Sequence, residues 1–91
     1  MKRKYRLNRF LTVELVHVMA ARGDCITDYG YQTTIRMRYL EPHDMVRTFD
    51  HEMCHLGEQH RDMGAGSETV AIRVATLYAH ARRRLPFYNT K

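Results

Sequence analysis

Two histidines and a glutamate occur at a spacing that suits metal chemistry: His51, Glu52 and His55, within the pentapeptide HEMCH. Residues four apart lie on one face of a helix, about 40° apart around its axis, so both imidazoles can reach one Zn²⁺. The intervening glutamate points about 100° away, where it can hold a water molecule and take its proton. The pentapeptide therefore predicts a zinc site with Glu52 as general base. The alternative is an accidental match whose histidines only flank a core.

The segment around the pentapeptide has the periodicity of an amphipathic helix. Between residues 41 and 59, apolar side chains recur at spacings of four, four and three: Met45, Phe49, Met53 and Leu56. This pattern predicts a helix packed on a core. Glu52 falls within the apolar stripe, so we expect its carboxylate to be buried and to need a cation or a hydrogen-bond partner.

A zinc site needs a third protein ligand, for which the chain offers two candidates. His60 lies nine residues beyond His51, about 180° around an unbroken helix, and can serve only if that helix ends at Gly57. Glu68 follows a glycine-rich linker and opens a second predicted helix over residues 68–83, whose apolar face should pack on the first. Glu68 is the preferred third ligand, and His60 stays open as the alternative.

These motifs resemble those of known metallopeptidases. The stretch ETVA that begins at Glu68 resembles the E-x-x-A ligand helix of compact gluzincin zinc peptidases, including small phage- and mobile-element-encoded enzymes that cleave repressors. The stretch HEMCHL that begins at His51 is similar to the motif of SprT-like metallopeptidases. The resemblance covers residues 35–79. It implies a minimal zincin-like fold and a Zn²⁺-dependent peptidase that hydrolyses a protein target.

The remaining elements are expected to form an α+β domain that spans residues 1–91. Residues 8–22 are predicted to be a helix, and the alternating residues 31–40 a strand that pairs with Cys25-Ile26 in a short hairpin or small antiparallel sheet. The HExxH helix and the C-terminal ligand helix follow. Residues 1–6 are predicted to be a basic tail and residues 85–91 a C-terminal tail.

In zinc peptidases of the resembled type, the strand before the motif lines the cleft and binds extended peptide by edge pairing. The resemblance therefore implies a substrate-binding role for four residues of the predicted strand: Ile35, Arg36, Met37 and Arg38. An ordinary edge strand whose arginines deter aggregation is the alternative.

The formal net charge is +5, with basic residues concentrated near both ends. Such clusters suit a phosphate backbone or an acidic protein surface, although they also aid solubility. The two cysteines do not make a disulfide framework, and no apolar segment predicts a membrane span. We expect a cytoplasmic protein that does not bind a membrane. The sequence does not specify an oligomeric state.

Three functions are compatible with this sequence. The first is a zinc peptidase, in which Tyr78 or His80 on the last helix polarises the substrate carbonyl beside the general base Glu52. The second is a non-catalytic, zinc-stabilised adaptor or inhibitor of phage type that binds a host protein. The third is a basic nucleic-acid-binding domain in which the pentapeptide is accidental.

Overall fold

Four strands precede two helices in this α+β chain, of which the computed structural model describes residues 3–89. The elements in chain order are β1 Arg3–Asn8, β2 Leu11–Val16, β3 Gly23–Thr27, β4 Thr33–Arg38, α1 Pro42–Asp62, α2 Ser67–Arg84 and a short 3₁₀ helix, Pro86–Tyr88. Within this range, no helix is both long and apolar enough to cross a membrane.

The strands form one mixed sheet in the order β1-β2-β4-β3. The pairs β1/β2 and β3/β4 are antiparallel, whereas the central pair β2/β4 is parallel. The sheet is therefore larger than the predicted hairpin and not purely antiparallel. Its buried face and the two helices enclose the core, built from the sheet residues Leu11, Val13, Leu15, Ile35 and Met37 and the helix residues Phe49, Met53, Leu56 and Leu77.

The helix predicted over residues 8–22 is wrong, because this segment forms the end of β1, a turn and β2. Leu11, Val13 and Leu15 are all buried, so the burial period is two rather than that of a helix. The Asn8 side chain accepts a hydrogen bond from the Phe10 backbone N–H at 2.8 Å, which makes a turn rather than a helix cap. Val18, which a helix over residues 8–22 would place on the same face as Leu11 and Leu15, is 89% exposed.

The predicted hairpin of β3 and β4 is confirmed, with Cys25 opposite Ile35. Its connection is organised by Asp28, whose carboxylate accepts hydrogen bonds from the backbone N–H groups of Gly30 and Gln32 at 3.0 and 3.1 Å. This turn orients β3 along the outer side of β4, where it becomes one edge of the sheet.

Both predicted helices are present, and α1 runs without a break to Asp62. Gly57 does not end it. That glycine is buried inside the helix, and a methyl group in its place would lie 3.6 Å from Val70 of α2, an ordinary packing distance. The continuity of α1 fixes the angular positions of all its side chains, including the three histidines that follow Asp50.

The tails predicted at the two ends are largely part of the fold. Residues 3–6 belong to β1, and Leu85 and Phe87 are buried in the core. The first two and the last two residues of the predicted tails lie outside the described range. Because a core residue follows Arg84 directly, the end of α2 is held against the sheet.

Candidate metal centre

The two histidines of the pentapeptide converge on one point outside α1. Their Nε2 atoms lie 3.2 Å apart, with the ring planes at 83° to one another. Two imidazole nitrogens that bind one tetrahedral Zn²⁺ at about 2.05 Å lie roughly 3.3 Å apart. The pair therefore has the spacing of two corners of a zinc site. Both residues are exposed, which leaves the point of convergence accessible.

Glu58 orients one member of the pair. Its carboxylate Oε1 lies 3.1 Å from Nδ1 of His55. A carboxylate only accepts, so Nδ1–H of the neutral His55 imidazole donates to it, and His55 Nε2 accepts a hydrogen bond from Nε2–H of His51. This carboxylate–histidine arrangement is the usual support of a metal-binding imidazole. Sequence reasoning missed Glu58, although its position three residues after His55 was the available signal.

Glu52 lies beside the pair but inside the protein. It is 5% exposed, as its place in the apolar stripe predicted. Burial raises the pKa of the Glu52 carboxyl, while His51 and His55 act to lower it and Asp24 adds to the rise. A carboxylate in this position can take a proton from a molecule that sits between it and the histidines.

A cleft of about 350 Å³ opens where α1 meets the start of β3. Its lining consists of Arg22, Gly23, Arg47, Thr48, His51 and Glu52. A methyl group on Gly23 would lie 2.9 Å from the Thr48 Cγ2 atom and 3.3 Å from the Glu52 Cγ atom, so only glycine lets β3 approach this closely. The cleft places the general-base candidate and one histidine of the pair in the same concave site.

His60, the alternative third ligand, is not brought to the pair. Because α1 continues through Gly57, His60 points to the opposite side of the helix from His51, where it is fully buried. Its Nε2 lies 2.9 Å from Thr33 Oγ1, and Arg73 Nη1 lies 3.4 Å from its Nδ1. Burial and the Arg73 charge both lower the pKa of His60.

His60 belongs to a chain of hydrogen bonds with a fixed direction. Arg73 can only donate, so His60 accepts at Nδ1 and donates from Nε2 to Thr33. The chain continues through Thr27 to the Gln59 Oε1 atom, at 2.8 and 2.6 Å. The Gln59 Nε2 group then donates to the backbone carbonyl of Cys25 on β3 at 2.9 Å. Both nitrogens of the His60 imidazole are thus occupied by hydrogen bonds within the fold.

Glu68, the preferred third ligand, also lies away from the pair. Met53 lines the groove between α1 and α2, and at 100° per residue it points about 160° away from both His51 and His55. Helix α2 therefore packs on the side of α1 that carries Met53, Gly57 and Arg61, and Glu58 lies at the edge of this groove nearest the histidine pair. Glu68 itself is exposed, about 160° around α2 from the buried Val70. Within residues 3–89, no three His, Cys, Asp or Glu side chains form a group that could hold a metal ion.

The candidates for carbonyl polarisation lie on α2, outside the cleft. The Tyr78 hydroxyl donates to Asp50 Oδ1 at 2.8 Å, and its ring packs edge-on against Phe49. Burial, followed by the Asp50 carboxylate, raises the pKa of Tyr78. His80 interacts through Nδ1 with Arg83 at 3.1 Å. Neither side chain lines the cleft beside Glu52.

The strand predicted to bind substrate by its edge is internal. Residues 33–38 form β4, which is hydrogen-bonded to β2 on one side and β3 on the other, so the edge-pairing prediction needs correction. Ile35 and Met37 are buried, while Arg36 and Arg38 lie on the opposite face of the sheet. The open edge beside α1 belongs to β3 instead.

The open edge of β3 presents backbone groups next to the cleft. The N–H of Arg38 donates to the carbonyl of Arg22 at 2.9 Å. Because hydrogen-bonded pairs alternate along an antiparallel ladder, Gly23 and Cys25 direct their N–H and C=O groups outward. The sequence did not reveal this arrangement, because it depends on the order of strands in the sheet.

Comparisons of this chain with protein-family models, with curated proteins and with solved structures find no match. The chemistry of the site itself is therefore the guide to function.

Proposed function

We propose that this protein is an HExxH-type hydrolase that cleaves peptide bonds of a protein target with Zn²⁺ held by His51 and His55. The observation that carries the proposal is the 3.2 Å approach of their two Nε2 atoms beside a cleft that contains the buried Glu52. Two convergent imidazoles beside a buried carboxylate in a concave site are an arrangement typical of functional sites.

Each residue of the proposed site has a separate task. Bound Zn²⁺ would supply an activated water and polarise the scissile carbonyl. His51 and His55 hold the ion, and Glu58 keeps the His55 imidazole in the tautomer that offers Nε2. Glu52 accepts the proton released during attack and returns it to the leaving amine. Its burial excludes bulk water from that proton transfer.

Zinc retention by variants of the candidate ligands tests which residues hold the ion. We expect His51→Ala and His55→Ala each to abolish zinc retention, whereas His43→Ala, a change to an exposed histidine on the same helix, should have no effect. Glu68→Gln and His60→Ala separate the two candidates for the third position. If Glu68→Gln loses zinc as completely as His51→Ala, α2 repositions when the ion binds. Retention of zinc by His51→Ala would overturn the proposal.

Catalysis is tested with Glu52→Gln, which removes the base and keeps the size of the side chain. The variant should retain zinc and lose cleavage by about 10²–10⁴-fold. The target is obtained by capture on the Glu52→Gln protein, and cleavage is followed by mass spectrometry of the captured protein. Asp62→Asn, an exposed acid on the same helix, is the matched control. Undiminished cleavage by Glu52→Gln would exclude the hydrolase.

A non-catalytic zinc-stabilised adaptor is the alternative that this experiment distinguishes. Like the hydrolase, it would need at least one further zinc ligand, because neither Glu68 nor His60 approaches the histidine pair. An adaptor would capture the same partner and leave it intact, and Glu52→Gln would not change the biological effect. The hydrolase predicts cleavage products in the wild-type capture and none in that of the variant.

A nucleic-acid-binding surface is a second candidate, because the fold brings the two basic ends of the chain together. The Arg84 guanidinium donates to the Leu7 carbonyl at 3.3 Å, which joins the end of α2 to β1. The exposed Arg82 and Arg83 thereby lie near the basic strand β1. Binding of duplex DNA that weakens steeply between 50 and 200 mM salt, and weakens further in Arg82→Gln/Arg83→Gln, would support this surface.

A further inference from the structure

The cleft beside the histidine pair carries two arginines whose side chains have no partner within residues 3–89. Arg22 and Arg47 both line it and both are exposed. Their side chains make no hydrogen bond or ion pair with any residue of the described range 3–89. Five other arginines do donate side-chain hydrogen bonds: Arg36, Arg38, Arg73, Arg83 and Arg84. Two free guanidinium groups in one concave site are available for a ligand.

Two acidic groups near these arginines are already committed. Glu52 is buried, and the Asp24 carboxylate is bound by two nitrogens of Arg36. The lining of the cleft carries two guanidinium groups against the single carboxyl group of Glu52. A planar guanidinium binds a carboxylate through paired, charge-assisted hydrogen bonds, and it binds neutral amides less well. The chemistry of the cleft suits a carboxylate.

The position of the arginines relates such a carboxylate to the proposed reaction site. Arg47 precedes His51 by one turn of α1, about 6 Å along the helix axis. Arg22 immediately precedes Gly23, which the close contact with Thr48 and Glu52 holds against the helix. An extended peptide advances about 3.3 Å per residue, so this distance corresponds to roughly two residues.

We propose that Arg22 and Arg47 form a carboxylate-binding subsite, which selects targets that carry an acidic group about two residues from the bond to be cleaved. The selection of a target for cleavage rests on the proposed hydrolase. The binding of the carboxylate itself depends only on the two arginines. The carboxylate comes either from an aspartate or glutamate side chain or from a free C-terminus. Both present the same group to the guanidinium pair.

Three short peptides that differ in one group test the subsite: acetyl-Ala-Glu-Ala-amide, acetyl-Ala-Gln-Ala-amide and acetyl-Ala-Gln-Ala with a free C-terminus. Each is titrated into ¹⁵N-labelled protein at 50 mM salt, once with chelator and once with zinc. We expect a carboxylate-bearing peptide to bind at least about tenfold more tightly than the neutral one, with shifts at Arg22, Gly23 and Thr48. Preference for the glutamate peptide assigns a side-chain carboxylate, and preference for the free acid assigns a C-terminus.

Arginine variants show whether the preference belongs to the cleft. Arg47→Gln and Arg22→Gln should each remove it, whereas Arg61→Gln, an exposed arginine on the same helix that lines the other groove, should leave it intact. Equal weakening by Arg61→Gln would show general attraction by a basic protein and overturn the subsite. Equal binding of all three peptides would also overturn it. Because the preference is measured without zinc as well, these outcomes are separate from failure of the metal proposal.

Discussion

Helix α1 carries histidines in two opposite environments. On one side His51 and His55 are exposed, with their Nε2 atoms 3.2 Å apart. On the other side His60 has no exposed surface, and both of its nitrogens have partners within the fold. The residue type is the same, so the difference comes from position around the helix. Spacing brings imidazoles together, but only a pair whose Nε2 atoms bond each other at the surface, and not groups of the fold, is available to a ligand.

The largest difference between the two sides should appear in stability. His60→Ala leaves a cavity and removes a partner from both Thr33 and Arg73, so we expect unfolding to become easier by about 2–4 kcal/mol. His51→Ala removes exposed atoms only and should change stability by no more than about 0.5 kcal/mol without zinc. Urea denaturation with chelator present measures both. Similar losses in the two variants would contradict the assigned environments.

Zinc affinity should depend on the exposed histidine pair and its support, and not on the buried side of the helix. Glu58→Ala removes the carboxylate that orients His55, and we expect about 10–100-fold weaker zinc binding. Competition with a chromophoric chelator provides the measurement. Asp62→Asn, at the end of the same helix, should leave the affinity unchanged. Wild-type affinity in Glu58→Ala would mean that the imidazole needs no support.

The buried histidine should also make stability depend on pH. The lowered pKa of His60 means that the unfolded chain takes up a proton near pH 6.5, which the folded chain resists. Stability from this group is therefore complete above pH 6.5 and falls as the pH drops below it, by at most about 1.4 kcal/mol per pH unit. Glu52, with a raised pKa, acts in the opposite direction at acid pH.

Comparison of the wild type with His60→Gln isolates the His60 contribution. The difference in unfolding free energy between the two proteins should shrink as the pH falls from 7 to 5, because only the wild type has a histidine to protonate at this position. Denaturation curves at intervals of half a pH unit are sufficient. A difference that stays constant over this range would contradict the prediction.

The smallest effect is expected at Tyr78. Tyr78→Phe removes one hydrogen bond to the exposed Asp50, so stability should fall by about 0.5–1 kcal/mol. Zinc binding and cleavage should not change, because the hydroxyl points away from the cleft. A large loss of cleavage with normal stability would restore Tyr78 to the catalytic role predicted from the sequence.

Elements whose apolar residues follow a single period were predictable from the sequence. The N-terminal segment, whose apolar residues fit two periods, was not. Leu11 and Leu15 are four apart, which fits a helix face, but they also lie on one face of a strand with Val13 between them. The decision came from tertiary structure: β2 pairs with β4, a neighbour more than twenty residues away. No local pattern records that pairing.

The candidate site was predictable as far as a single helix determines it. The spacing of His51, Glu52 and His55 gives both the convergent pair and the buried carboxylate. Glu68 depends on which side of α1 receives α2, and that side was not apparent. The helical period of α2 did indicate that Glu68 faces outward, because Glu68 lies about 160° around the helix from the buried Val70. The cleft required the position of β3, which follows from sheet order.

The directed hydrogen-bond chain that starts at Arg73 has a consequence for anything that docks along β3. It ends on the carbonyl of Cys25, so one acceptor of the open edge is already taken by Gln59. A strand docked along β3 would pair with the outward N–H and C=O groups of Gly23, next to Glu52, and would meet an occupied carbonyl two residues further on. Under the proposed function, this occupied carbonyl would set the register of a docked segment and so determine which of its residues lie beside the histidine pair.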